Sequence, residues 1–300
     1  MGFLSEISNQ NFGAQSRLHS PLFCYGGKGL MARKLLPMIQ YPHGTYVEPF
    51  AGGASIFFGK QPMGVEVLND LEEGVVGFYK LVQNPELFPE FYRRVYLTPY
   101  SREEYYYCRD TWKQESGMLR YYKWFIAKKQ SFSGEGRDYS SWSYGRSISS
   151  NGMGSKPSAF LYMIDALPAV HRRLLKTVIE YMDFRDVIKK YDAYNTFFYI
   201  DPPYMLETRN FKWGYTHELG TIDHKELIEM LLGIKGKALV SCYDHEIYQR
   251  LLKYNWNRKS WKTSAHSAGR TRGSGLLGKG AASKMQPRVE TVYFNYKYLS

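Results

Sequence analysis

Residues 44–70 read GTYVEPFAGGASIFFGKQPMGVEVLND, and their order of elements decides the fold. GTYVEPF (44–50) is an apolar strand that ends in AGGASIFF (51–58), where two glycines lead into an apolar helical stretch. GVEVLND (64–70) is a second strand, ends in an acid, and is followed by the helical pattern LEEGVVGFYKLV. Strand, glycine turn, helix, strand, helix is the signature of a parallel sheet in an α/β protein.

The theme returns toward the C-terminus. TVIEYMDF (177–184), FFYIDPPY (197–204) and KALVSCYD (237–244) read as strands, and RVETVYFNY (288–296) alternates well enough to be a final one. DHKELIEMLLGI and DHEIYQRLL read as helices, opened by Asp223 and Asp244 as N-caps. Between residues 84 and 159 the alternation stops. SREEYYYCRDTW carries a capping-box start, Ser101 with Glu104, and MLRYYKWFIAKKQSF has apolar residues at helical spacing. A Ser- and Gly-rich loop of 24 residues follows, 133–156. That is long for a structureless connection in a compact domain. Its Tyr139, Trp142 and Tyr144 beside Arg137 and Arg146 suit base stacking and phosphate contact. The parse is an α/β sheet, 1–83 and 160–300, with a mainly helical subdomain, 84–159, inserted.

With 300 residues, 44% hydrophobic and 17% aromatic, the chain can bury a sizeable core. No apolar run approaches the roughly 20 residues of a membrane helix, and the N-terminus lacks a signal-peptide pattern. Three scattered cysteines, Cys24, Cys108 and Cys242, read as reduced cytoplasmic thiols. No His or Cys spacing points to a metal. The net charge is +12, and from Arg250 onward eleven Lys and Arg face a single acid, Glu290. A polyanion partner follows from that asymmetry, with a solubilising face as the blander reading. The basic loop 264–285 contains GSGLLGKG (273–280), close to a P-loop, but Gly280 stands where Ser or Thr must reach magnesium and no strand is read before it. An arm that contacts phosphates through Arg270 and Arg272 is the better reading.

NTFFYIDPPYM (195–205) poses the chemical question, because a strand bound for the interior ends on Asp201, Pro202, Pro203 and Tyr204. The prolines stiffen the backbone and remove two N–H groups. What remains is acceptor-only: the Asp201 carboxylate and the Pro202 carbonyl, which match the two hydrogens of an exocyclic amine, beside a ring that can stack on a flat base. Alone, the tetrapeptide reads equally well as a stiff turn. The turn VEPFAGGAS (47–55) lets a cofactor approach the backbone. Asp70 follows at the spacing of a ribose-binding acid. The GxGxxG pattern is absent, which disfavours a hydride enzyme.

Taken in order, YGGKG (25–29), VEPFAGGAS, VLND, SFSGEGRDYSSWSY, DPPY and RVETVYFNY resemble the Dam-like DNA adenine-N6 methyltransferases, whose recognition subdomain lies between the cofactor motif and DPPY. The resemblance covers nearly the whole chain. It departs at Cys24, where an aromatic is usual and Tyr25 follows, and at Ala54, where a third glycine is frequent and Gly53 is left to do the close packing.

The resemblance implies a Rossmann-like sheet that binds S-adenosylmethionine through Tyr25, Lys28, Glu48, Phe50, Gly52, Gly53, Asp70, Phe184 and Asp201. Asp70 would hold the ribose, and Phe184 would wall the adenine or serve as core. It implies catalysis by Asp201, Pro202, Pro203 and Tyr204 on an adenine flipped out of double-stranded DNA. DNA contacts would come from Lys129, Ser131, Arg137, Trp142, Tyr144, Arg146, Arg270 and Arg272. Cytosine-N4 methylation and a catalytically silent DNA-binding relative are the rivals. A cytoplasmic, prokaryotic or phage-encoded enzyme is expected, with no membrane or metal, and a restriction partner is left open.

Overall fold

The computed structural model describes residues 18–22, 28–29, 31–39, 43–134, 140–208, 216–264 and 287–298. The first half builds α1 (Ala32–Leu35), β1 (Thr45–Glu48), α2 (Ser55–Gly59) and β2 (Val65–Asn69). Five helices follow: α3 (Glu73–Gln83), α4 (Phe88–Leu97), α5 (Arg102–Thr111), α6 (Gly117–Gln130) and α7 (Ser155–Leu174). Then come β3 (Thr177–Glu180), α8 (Phe184–Tyr191), β4 (Thr196–Ile200), α9 (Thr221–Gly233), β5 (Lys237–Tyr243), α10 (Glu246–Gln249), β6 (Asn257–Ser264) and β7 (Pro287–Phe294).

The seven strands form one sheet in the order β3-β2-β1-β4-β5-β7-β6. The pairs from β3 to β5 are parallel, and β7 runs antiparallel to both β5 and β6. Both faces of the central strands are buried, which is why TFFYI in β4 is continuously apolar. Tyr46, Phe197 and Leu239 enter a core with α3, α4, α6 and α7 on one face. Val47, Phe198 and Val240 enter a second core with α8 and α9 on the other.

The helices between β2 and β3 share the first of these cores. Phe78 of α3 stacks on Phe125 of α6, centroids 4.7 Å apart at 8°. Gly74 and Gly77 let the helices approach: a Cβ on either would lie about 2 Å from Trp124 or Tyr121. Two mid-helix glycines that weaken α3 alone are thus explained by what packs on it.

Local expectations differ from the structure at several points. The segment 177–184 is strand only to Glu180, and Phe184 opens a helix whose N-cap, Asp183, accepts the Arg185 N–H at 2.8 Å. Ser101 is the N-cap of α5 but makes no side-chain capping bond; its N–H donates to Gln130 Oε1 instead. Neither Asp223 nor Asp244 is an N-cap. Gly220 caps α9, with Asp223 accepting its N–H at 2.9 Å, and the His245 side chain caps α10. β6, NRKSWKTS, was not read as a strand, and it does precede the near-P-loop segment. Its charges mask an edge strand, where lysine is usual. The near-P-loop itself lies outside the described residues.

Candidate functional site

The chain reverses its direction of winding between β1 and β4, and the carboxyl ends at that switch form the site. Pairing runs Glu48 to Leu68 and Val47 to Phe198. Phe50, Asp70 and Asp201 lie one or two residues beyond the ends of these three adjacent strands, and the Ala51 N–H donates to the Asn69 carbonyl at 2.8 Å where the β1–β2 ladder ends.

The turn after β1 is held from β2 and α3. Gly52 and Ala54 both have positive φ, 46° and 48°. Asp70 Oδ2 accepts the Gly52 N–H at 2.7 Å, and Oδ1 accepts that of Glu72 at 2.8 Å. The Tyr79 hydroxyl donates to the Gly52 carbonyl at 2.8 Å. Burial pushes the Asp70 carboxyl up to about 6, against the pull of its backbone donors. Phe50 packs on Phe184 with ring centroids 5.3 Å apart. That spacing leaves no slot between them, so they form one wall, with Phe184 buried and Phe50 partly exposed. Glu48 is buried, accepts from the Tyr46 hydroxyl at 2.6 Å and the Phe57 N–H at 2.9 Å, and is pushed up to about 8, chiefly by burial. It sits beneath the turn as a brace. Gly53 is buried.

β4 delivers Asp201, partly exposed, and Pro202, buried. The Lys28 ammonium lies 3.0 Å from Asp201 Oδ1 and 3.2 Å from Glu290 Oε1, and also donates to the Tyr204 hydroxyl. That hydroxyl donates in turn to Glu290 Oε1, which also accepts from Ser241 Oγ at 3.1 Å. Burial raises the Asp201 carboxyl to about 6; Lys28 opposes the shift and Glu290 adds to it. The Tyr204 ring is 4% exposed and lies edge to face with Tyr243, centroids 4.5 Å apart. A base stacking on Tyr204 must therefore displace what covers it.

The loop between α6 and α7 is pinned by Gln130, which is fully buried. Its Nε2 donates to the Pro99 carbonyl at 2.9 Å, and its own carbonyl accepts the Ser143 N–H at 2.8 Å. Tyr100 and Tyr105 donate to the carbonyls of Ser143 and Ser140. Beyond these anchors, Trp142 and Tyr144 stack with centroids 6.1 Å apart, and the Arg102 guanidinium lies 5.0 Å and 5.8 Å from their rings. Tyr144 and Arg146 are exposed, and Lys129 is partly so. Ser131 is buried and donates to the Lys128 carbonyl at 2.9 Å, so its side chain holds the base of the loop. Tyr25, Arg137, Arg270 and Arg272 lie outside the described residues.

The structure thus gathers Lys28, Asp201 and Tyr204 in one network, and Gly52 with Asp70 and Phe50 with Phe184 in another. Sequence reasoning passed over Ser241, Gln130, Arg102 and, as a site residue, Glu290. The signal for Glu290 was present, since it is the one acid in a basic C-terminal stretch. Among the described residues no group of His, Cys, Asp and Glu could hold a metal, and no helix is long and apolar enough to cross a membrane.

Two comparisons bear on this geometry. The model of a family described as D12 class N6 adenine-specific DNA methyltransferase matches residues 25–265. A Type II methyltransferase, M.CviBI, of Paramecium bursaria Chlorella virus NC1A is 24% identical over 251 residues, spanning 81% of this chain and 90% of its own length.

Proposed function

Because this chain belongs to the D12 class N6 adenine-specific DNA methyltransferases, we propose that it transfers a methyl group from S-adenosylmethionine to an adenine rotated out of double-stranded DNA, with Asp201 as the principal acceptor. The observation that carries the reading is that Phe50, Asp70 and Asp201 all stand in the connections leaving the carboxyl ends of three adjacent parallel strands, β1, β2 and β4, at the switch point of the sheet.

The residues fit such a donor. A partly exposed ring, Phe50, backed by Phe184, offers an apolar wall to a flat adenine. Each Asp70 oxygen has one backbone donor and keeps a lone pair for a ribose hydroxyl. The turn at Gly52 exposes backbone where an L side chain is disfavoured. What such a donor supplies when bound is an electrophilic methyl group on a cationic sulfur.

The chain's own residues do the rest. The lone pair of an adenine amine is delocalised into the ring and attacks poorly. Asp201 and the Pro202 carbonyl, accepting its two hydrogens, favour a pyramidal nitrogen whose lone pair is localised. Positive charge grows on that nitrogen during transfer, and the Asp201 carboxylate stabilises it. Holding both reactants in attack geometry removes much of the entropic cost. The nitrogen becomes acidic once methylated, and Asp201 takes its proton. Lys28 keeps Asp201 ionised in a buried setting that would otherwise protonate it.

Target recognition is assigned to the inserted segment 84–159, with Arg102, Trp142, Tyr144 and Arg146 on its exposed side. The base-flipping cost of a few kcal/mol is met partly by stacking, worth roughly 1–3 kcal/mol per base. Phosphate contacts supply the remainder. The name of the viral relative, a Type II methyltransferase, supports a role in restriction-modification.

Incubation with methyl-labelled S-adenosylmethionine and unmethylated duplex DNA, followed by digestion to nucleosides, tests the reading. N6-methyldeoxyadenosine is expected. Label on cytosine N4, or no label, would overturn it.

A further inference from the structure

One oxygen of Glu290 gathers three donors from three parts of the chain. Lys28 comes from the N-terminal segment, Tyr204 from the loop after β4, and Ser241 from β5. Glu290 itself sits on β7, the antiparallel strand beside β5, where it pairs with Tyr243. It is 6% exposed, so a buried acid shares the Lys28 ammonium with Asp201. A buried carboxylate costs several kcal/mol unless its partners are well placed, which makes a filler role a poor account.

The charges explain its use. Lys28 is divided between Asp201 at 3.0 Å and Glu290 at 3.2 Å. Two carboxylates sharing one ammonium leave the site with a net negative charge, and the reaction carries a cation from sulfur to nitrogen. Without Glu290, Lys28 would turn wholly to Asp201 and compete there with the target amine.

Resting on the methyl-transfer reading above, we propose that Glu290 is a positioning residue of the reaction. It holds Lys28 and the Tyr204 ring in place, and it keeps Asp201 free to accept from the amine by drawing part of the ammonium away. The groups around Asp201 are Lys28, Tyr204 and Glu290 at close range, with Glu48, Tyr199, Cys242 and Tyr248 behind them. Burial holds the phenols and the thiol neutral and lifts Glu48 to about 8. Of the neighbours, Lys28 pulls the Asp201 carboxyl down and Glu290 pushes it up.

The test uses the full chain, tritiated S-adenosylmethionine and plasmid DNA free of N6-methyladenine, with kcat and KM measured from pH 5 to 9. For Glu290→Gln we expect kcat to fall tenfold or more while KM for S-adenosylmethionine changes less than threefold. The acid limb of kcat should move to lower pH, because Asp201 loses a neighbouring negative charge that raises its pKa. Glu290→Asp, which keeps the charge but withdraws it by one methylene, should lose at least threefold in kcat with the acid limb in place, and it serves as the second probe if the Gln variant does not fold. Wild-type kcat in Glu290→Gln overturns the proposal. So does a loss of kcat with an unmoved acid limb and a matching fall in thermal midpoint, the mark of a purely structural residue. If the wild-type chain itself transfers no methyl under these conditions, the underlying reading falls, which is a distinguishable result.

Discussion

The backbone N–H of Gly52 donates to Asp70 Oδ2 at 2.7 Å, tying the turn after β1 to the end of β2. One carboxylate thus shapes the turn and offers acceptors to a ligand. Asp70→Ala removes the partner of two N–H groups, those of Gly52 and Glu72. An orphaned buried donor costs roughly 1–3 kcal/mol. Loss of thermal stability should therefore accompany weaker binding of S-adenosylhomocysteine, the thioether left when the donor has given up its methyl group. Calorimetry on the variant reads both, and intact binding in Asp70→Ala would remove the residue from the proposed cofactor site.

The same carboxyl makes binding pH-dependent. Burial raises Asp70 from its ordinary value to about 6, so the free protein keeps that proton in mildly acid solution. A ribose donating two hydroxyls favours the ionised form and must expel the proton. Affinity should then rise with pH up to about 6 and level off above it, with a limiting slope of about tenfold per pH unit on the acid side. Titrations of S-adenosylhomocysteine at pH 5, 6, 7 and 8 give the profile. A flat profile would mean that Asp70 does not meet the ligand.

Asp201 also titrates at about 6, raised by burial and held down by Lys28. Methyl transfer requires the carboxylate, so kcat should fall as pH drops through that region. Asp201→Ala should lower kcat at least a thousandfold while DNA affinity changes by less than a factor of three. Gel-shift and single-turnover measurements on the same preparation separate the two effects. Appreciable turnover in the Ala variant would count against the assigned role.

Packing makes a separate claim. Gly77 lies in α3, where alanine would ordinarily gain about 1 kcal/mol. Here a Cβ would stand 1.9 Å from the Tyr121 ring. Overpacking typically costs about 1–3 kcal/mol and reverses the sign. Gly77→Ala should lower the thermal midpoint by several degrees, and a raised midpoint would show that α6 can slide away freely.

The sheet was legible because burial on both faces writes strands as short apolar runs, as in Thr196–Ile200, and because the order of turns and acids fixes where those strands end. β6 was not, since an edge strand advertises its charges and not its pairing. Capping was misread for a related reason: Asp223 and Asp244 sit one to three residues from the true caps, and sequence alone does not register a helix start that finely. Among the candidate site residues, Asp201, Lys28 and Tyr204 are singled out by their motifs, whereas Glu290 joins their network from β7, some 86 residues beyond Tyr204. Only the antiparallel pairing of β7 with β5 brings that acid home. Arg102 was hidden by its position on α5, since its stacking on Trp142 and Tyr144 depends on a loop fold that Gln130 imposes.

That loop carries the last expectation. Tyr144 is 51% exposed, and Trp142 is anchored by its Nε1 donating to Gln130 Oε1 at 3.4 Å. If the stack meets DNA, Tyr144→Ala should weaken binding by roughly 1–3 kcal/mol, the worth of a base on an aromatic ring, with the thermal midpoint unchanged. Trp142→Ala should lose both binding and stability, because it removes an anchor as well as a ring. Arg102→Gln should reduce the slope of log affinity against log salt by about one, the signature of a single lost phosphate contact. Fluorescence anisotropy between 50 and 200 mM salt distinguishes these three behaviours. Tyr144→Ala and Arg102→Gln variants that bind DNA like the wild type, with the wild-type salt slope, would move the recognition surface away from this stack.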